Sequence, residues 1–423
     1  MIVAMETVLL SLYLLVVAAT LWMKRLNLHH LKEKGKKVPP GFEGSIDDAV
    51  LGRSLAYTLE SSRLEVVGLL LDSILVIILL FAGLLAVCAR WIAALTSNVV
   101  LGGVLFFLGL LWAETVVGIP FSLYRNFRIE ARYGFNRMTG GLWLADCGKS
   151  TVISSIFTAL LVGVALFLIC WSPDRWWVWV WGFFVFFSLL IMYISPYVIE
   201  PLFFTFKPVQ AEGLEGEIRR LMEHAGLRVE RVFQVDASKR SRHSNAYFSG
   251  IGRVKRIVLF DTLLEQLNRE EILAVLAHEA GHWKRRHLMK RIIVTEGAAL
   301  IALYLAFKVL PWEGLPGLVG LTQAPLSIRV VIVGFLGALL AFPFTPLASF
   351  LSRRHEWEAD RFASELTGRP LDLASALIKL SRENLANLYP HPLYAAFYYT
   401  HPPLVERVGR LREMHAASLR AAG

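Results

Sequence analysis

The chain has 423 residues, 55% of them hydrophobic and only 18% charged, with a mean hydropathy of +0.52. That excludes an ordinary soluble globule, whose core needs far less apolar residue, and predicts a mainly α polytopic membrane protein. The formal net charge of +10 does not call for nucleic acid, because the basic residues sit beside apolar segments, as the positive-inside rule requires of cytoplasmic loops.

Seven stretches are apolar and long enough to cross a hydrocarbon core that takes about 20 helical residues: 3–23, 64–90, 93–119, 150–171, 176–198, 290–311 and 327–350. The first lacks a basic leading region and a small-residue cleavage pattern, and a basic run from Lys24 and Arg25 to Lys36 and Lys37 follows it. It therefore reads as a retained span and not as a secretory signal. Lys and Arg cluster after the first, third, fifth and seventh spans, including Arg125, Arg128, Arg132 and Arg137 after the third and Lys284, Arg285 and Arg286 before the sixth. The connections 171–174 and 311–326 carry almost none. The N-terminus is thus expected outside and the C-terminus in the cytoplasm. The absence of a lumenal glycosylation site, a retention signal and an extended tail favours a bacterial inner membrane over an endoplasmic reticulum membrane. Asp72, Glu114 and Glu296 lie within spans, with Glu65 and Glu200 nearer their ends. A charge facing lipid costs roughly 2.5–3.5 kcal/mol, so these carboxylates are expected either to face a polar interior or to pair with Lys or Arg. Trp171, Trp176, Trp177, Trp179 and Trp181 read as an interfacial belt. Cys88, Cys147 and Cys170 have no ligand spacing and indicate neither a disulfide framework nor a thiolate metal site.

The spans divide the chain into four parts: 1–205 with the first five spans, a cytoplasmic insertion at 206–289, spans six and seven at 290–350, and a helical C-terminal part at 351–423. Within the insertion, Asn245 to Gly250 and Ile257 to Phe260 are short β-rich runs around Gly252 and a basic turn, which predicts a hairpin. Asp261 is expected to cap a short helix containing Glu265. Asn268, followed three residues later by Glu271, is a capping-box start for the helix running from Ala274 to Arg286.

That helix carries His278-Glu279-Ala280-Gly281-His282. Four residues apart on a helix, His278 and His282 project from one face and can share a zinc ion, while Glu279 can take the proton of a water held there. A catalytic zinc takes three protein ligands and keeps one open position. No third ligand follows closely, and His287, five residues beyond His282, is turned off the ligand face. Glu356 is the candidate, in the helical segment Arg353-Arg354-His355-Glu356-Trp357-Glu358-Ala359-Asp360. Asp360, four residues on, can accept the second ring N–H of a ligand histidine, whereas Glu358 points away.

With these motifs the sequence resembles the first type of CAAX prenyl endopeptidase, a family of seven-span membrane zinc proteases. The resemblance also rests on Ile129-Glu130-Ala131-Arg132-Tyr133-Gly134-Phe135-Asn136, on Ser238-Lys239-Arg240-Ser241-Arg242-His243-Ser244-Asn245-Ala246-Tyr247-Phe248, and on His401-Pro402-Pro403-Leu404-Val405-Glu406-Arg407. It implies seven helices around a water-filled chamber, with a zincin-like α+β metalloprotease domain at the cytoplasmic side. It makes His278, His282 and Glu356 the ligands of one zinc ion per chain, Glu279 the general base and Asp360 the partner of a ligand histidine. It places Asn245, Ala246, Tyr247 and Phe248 along the substrate backbone, where a strand edge can hold an extended peptide. His401 and Arg407 would stabilise the oxyanion or orient the site. The implied partners are a peptide or protein C-terminal tail, lipidated or not, and membrane lipid; nucleic acid is not among them, and a monomer is the family default. Two alternatives have other features to show. A membrane quality-control protease of related motif has four spans, and a non-cleaving polypeptide-binding or clearance protein with a vestigial zinc site would not need Glu279.

Overall fold

The apolar stretches fold as long helices, in which Pro120 and several glycines are carried without a break and the ends fall at caps or at Gly83. In this computed structural model, which describes residues 2–249 and 254–422, the chain opens with α1 (Ile2–Lys34), α2 (Asp48–Phe81), α3 (Leu84–Leu95), α4 (Val99–Tyr124), α5 (Gly140–Trp171) and α6 (Trp176–Ile194). The Asp47, Asn98 and Thr139 side chains accept backbone N–H groups at the starts of α2, α4 and α5. Gly83, at φ +80, ends the second span. It also displaces the expected spans 64–90 and 93–119. The first belongs to a helix that starts at Asp48, and the short apolar α3 lies between the two spans. The early turns of α2 stay helical despite Arg53, Glu60 and Arg63. Two of these charges have partners after α4: Arg132 pairs with Glu60 at 2.8 Å, and Arg53 donates to the Tyr133 carbonyl.

A short α7 (Glu200–Phe203) leads into the insertion, which contains α8 (Leu214–His224), α9 (Asp261–Gln266) and α10 (Arg269–Lys284). Its sheet has the order β1 (Phe206–Pro208), β2 (Arg228–Val235), β4 (Val254–Phe260), β3 (Ala246–Ser249). β2 and β4 run parallel, while β1 and β3 are antiparallel to their neighbours. The expected hairpin is therefore present as β3 and β4, in the register Ala246 to Leu259 and Phe248 to Ile257; its turn, with Gly252, lies outside the described residues. Asp261 does not cap α9. Phe260 holds that position, and the Asp261 carboxylate accepts instead from the backbone and hydroxyl of Ser238.

Then follow α11 (His287–Val309), α12 (Leu326–Ala341), α13 (Thr345–Thr367), α14 (Pro370–Glu383), α15 (Pro392–Tyr398) and α16 (Leu404–Ala422). Among the described residues seven helices are long and apolar enough to cross a membrane, three more than the four-span alternative has. α12 and α13 form one rod with a tight turn at Phe342–Phe344, and no break falls at the expected boundary after residue 350. α10 and α11 are likewise joined by two residues only, Arg285 and Arg286.

The spans touch mainly their neighbours around a ring, from α1 through α2, α3, α4, α5, α6, α11 and α12 back to α1, with α12 also touching α4. The chain exposes 22805 Å², whereas a compact protein of 47.5 kDa exposes roughly 16,000 Å². Long membrane helices with lipid-facing sides and an open cavity between them account for the surplus. Asp72 and Glu114 are exposed on the walls of a cavity of about 1550 Å³ between α2, α3 and α4. Glu296, by contrast, accepts from Ser188. At the end of the bundle far from α10, Leu80, Leu85, Phe106, Leu315, Ile328 and Ile332 close together into an apolar plug.

α10 is fixed from both sides. Its apolar residues Ile272 and Leu276 pack on β4 and α8, and Ala274 and Ala277 pack on α14 and α16. Its first turn has the full capping box, Asn268 accepting the Glu271 N–H and Glu271 accepting the Asn268 N–H. The buried Glu271 carboxylate also takes the Ser375 hydroxyl at 2.6 Å and the Lys379 ammonium at 2.8 Å from α14. Replacing Glu271 with Ala is expected to lower folding stability by about 2–3 kcal/mol, the sum of a lost cap bond and charge-assisted bonds. Thermal unfolding in detergent checks this, and a midpoint unchanged from wild type would show that the box does not anchor α10.

Candidate metal centre

Two helices meet here at unusually short range. A Cβ added at Gly281 of α10 would lie 3.0 Å from the Ala359 Cα and 3.2 Å from its carbonyl oxygen on α13. Only glycine lets the backbones approach this closely. The contact slides Glu356 of α13 under the two imidazoles of α10. His278 Nε2 and His282 Nε2 are 3.2 Å apart, His282 Nε2 is 3.3 Å from Glu356 Oε1, and His278 Nε2 is 3.4 Å from Glu356 Oε2. A tetrahedral ion with bonds of about 2.0–2.1 Å separates its ligand atoms by about 3.3–3.4 Å, so these three side chains are spaced as its ligands would be.

Charge and hydrogen bonding agree with that fit. Glu356 is 4% exposed, and its Oε2 is buried without a well-formed hydrogen bond, although His401 Nδ1 lies 2.7 Å away. Glu356, Asp360 and Glu279 face the single guanidinium of Arg407. With neutral imidazoles, that leaves two negative charges for a divalent cation to balance. Burial works against a charge on His278, but its hydrogen bonds to Asp360 and Glu356 outweigh this and push its pKa up to about 9.

Asp360, 1% exposed, accepts at Oδ1 from His278 Nδ1 at 2.8 Å. Arg407 of α16 grips the same carboxylate with two bonds, Nε to Oδ2 at 2.8 Å and Nη2 to Oδ1 at 2.6 Å. The proton of His278 is thereby kept on Nδ1 and its Nε2 lone pair is left for a metal. Arg407 is 6% exposed, and its Nη1 lies 3.5 Å from Glu356 Oε2. His401 is the opposite case, with 65% of its side chain exposed at the mouth of the site. Glu279 is half-buried and has no hydrogen bond or ion pair among the described residues.

β3 packs against α10 and pairs on one side only, with β4. Asn245 is exposed, Ala246 is buried, and Tyr247 and Phe248 are half-buried. The Phe260 N–H donates to the Asn245 carbonyl. In an antiparallel ladder that alternation turns the backbone groups of Ala246 and Phe248 to the free edge. Ala246 and Phe248 side chains enter the core, and the Tyr247 hydroxyl donates to Glu200 at 2.7 Å.

Two contacts escaped the sequence reading. His287 is buried and touches His282, Nδ1 to Nδ1, at 3.0 Å. On a straight helix a residue five positions on is turned about 140° away; the left-handed Arg286, φ 55, breaks the helix and swings His287 back. The second is a strut in which His243 lies between Glu130, at 3.2 Å, and Asn384, at 2.8 Å, with Phe135 stacked on its ring.

Comparison with known proteins extends over nearly the whole chain. Residues 27–205 match the family model described as CAAX prenyl protease N-terminal, five membrane helices, and residues 208–415 match peptidase family M48. The chain is 35% identical over 387 residues to a CAAX prenyl protease 1 homolog of Arabidopsis thaliana, covering 88% of this chain and 89% of that protein. It is 31% identical over 405 residues to CAAX prenyl protease 1 of Saccharomyces cerevisiae, covering 89% and 88%. The crystal structure of S. mikatae Ste24p superposes with a TM-score of 0.90 at 27% identity, covering 96% of this chain and 99% of that one.

If the Gly281 contact sets the ligand spacing, Gly281→Ala should cost about 1–3 kcal/mol of stability by overpacking and reduce bound metal, while circular dichroism still reports the native helix content. Metal content equal to wild type would show that the two helices are not held by this contact.

Proposed function

The chain belongs to peptidase family M48, as a multi-pass membrane metalloendopeptidase with the N-terminal region of the CAAX prenyl proteases, and we propose that it holds one zinc ion on His278, His282 and Glu356. The observation that carries this reading is the set of three ligand spacings at 3.2, 3.3 and 3.4 Å beside an unpaired Glu279. A bound zinc ion supplies Lewis acidity toward a carbonyl oxygen and lowers the pKa of a water.

The chain's own residues do the rest. Glu279 takes a proton from the attacking water and hands it to the leaving amine, a role suited to a half-buried carboxylate that forms no hydrogen bond or ion pair among the described residues. Asp360 holds the Nδ1 proton of His278 and keeps that ring in plane. Arg407, buried, orients that carboxylate through Nε and Nη2, while its Nη1, 3.5 Å from Glu356 Oε2, points toward the ligand group. His401, exposed beside Glu356, is the donor to charge developing on the carbonyl oxygen. Extended substrate adds to the free edge of β3, with the backbone of Ala246 and Phe248 as its partners and Asn245 and Tyr247 beside it.

The substrate is a peptide or protein; we assign it as a C-terminal tail carrying a prenyl group. The cavity beside α2, α3 and α4 is large enough for an isoprenoid, is walled mainly by apolar side chains and admits water along Asp72 and Glu114. We place the catalytic part and both flanking loops on the cytoplasmic side, as the Lys and Arg clusters favour, and take the protein as a monomer, since one chain supplies every residue named here.

Detergent-purified protein should hold about one zinc and cut a fluorogenic peptide, with a farnesylated cysteine lowering KM relative to the bare peptide. Glu279→Gln should keep its zinc and lose about 10²–10⁴-fold in kcat. A wild-type protein that holds zinc and cuts neither peptide, or a Gln variant as active as wild type, contradicts this reading.

A further inference from the structure

A metal-binding imidazole needs its second nitrogen held as firmly as the first. For His278 the holder is Asp360. For His282 the sequence motif provides none, yet the structure has His287, 4% exposed, with Nδ1 3.0 Å from His282 Nδ1. Two ring nitrogens at that distance form a hydrogen bond only if one donates and the other accepts. Once the Nε2 lone pair of His282 is given to a metal, its proton sits on Nδ1 and His287 Nδ1 must accept. The proton of His287 is then on Nε2, where Glu358 Oε2 lies 3.1 Å away to receive it. Every hydrogen position follows from the one metal bond.

The far end of this chain is also fixed. Glu358 stands on α13 with Glu356, turned to the other face. It lies 3.4 Å from Arg354 and 3.9 Å from Lys290, which fix its position. The ring of His287 is stacked on His355, centroids 4.1 Å apart and planes at 11°. The stack fixes the plane in which Nδ1 and Nε2 point.

We propose that His287 and Glu358 form a positioning relay that sets the tautomer and ring plane of His282 for the metal, as Asp360 and Arg407 do for His278. This rests on reading His278, His282 and Glu356 as the metal ligands. Both rings would then be held by carboxylates of one helix, α13, which also supplies the third ligand.

Zinc affinity, measured by chelator competition on the purified full-length protein, tests it. His287→Phe keeps a ring to stack on His355 but can neither accept nor donate, and Glu358→Leu removes the terminal acceptor. Each should weaken zinc binding about 10–100-fold, the usual loss when such an outer partner is removed. The double variant should be no weaker than the worse single, because both changes break the same relay. His287→Asn, whose side-chain oxygen can accept where Nδ1 did, should recover most of the affinity. His355→Phe, which keeps the stack, should bind as wild type does. Glu358 is one-third exposed, so its variant reads the relay even if a ring substitution at 287 fails to fold. Affinities for the 287 and 358 variants within twofold of wild type would overturn the relay, as would a double variant that multiplies the two losses. A wild type that binds no zinc at all would overturn the ligand assignment itself.

Discussion

The near-contact of α10 and α13 at Gly281 and Ala359 is the constraint on which the rest depends. It forces a carboxylate and two imidazoles, all of them buried or half-buried, to within 3.4 Å of one another. Such a cluster is costly unless charges and hydrogen bonds are closed around it. Asp360, Arg407, His287 and Glu358 are the groups that close it, and all but Arg407 come from α13 or from the first residue of α11. Because α11 and α12–α13 are membrane helices, the site is the point where two spans emerge and meet. A shift between those spans would move the ligands directly, with no loop to absorb it.

The free edge of β3 is tied to the same frame by other means. β3 follows directly on a segment pinned at His243 to Glu130 and Asn384, and bridged from Ser241 to Asn136. Glu130 in turn accepts from Tyr57 of α2 at 2.7 Å. Two motifs that stand more than a hundred residues apart in sequence are thus one strut, which runs from α2 toward the free edge of β3.

Much of this was legible in the sequence, for identifiable reasons. The seven spans follow from apolar length, and the capping box at Asn268 and Glu271 follows from local chemistry that tertiary packing did not override. The i,i+4 spacings of His278 with His282 and of Glu356 with Asp360 fix shared helix faces. Pairing Glu356 with a motif some 75 residues earlier (~75 being their separation along the chain) came from the need for a third ligand. What failed depended on single backbone conformations. Gly83 moved the ends of the second and third spans, Phe260 took the cap position expected of Asp261, and Arg286 turned His287 back toward the metal centre. No periodicity argument reaches a left-handed residue that is not glycine. The continuity of α12 with α13 was likewise hidden, because the composition changes there from apolar to charged while the helix does not stop.

X-ray absorption at the zinc edge on the purified protein tests the centre most directly. The account predicts four nitrogen or oxygen neighbours at about 2.0–2.1 Å, with the outer-shell scattering of two imidazoles. A sulfur neighbour at about 2.3 Å, a single imidazole, or no bound zinc would contradict it.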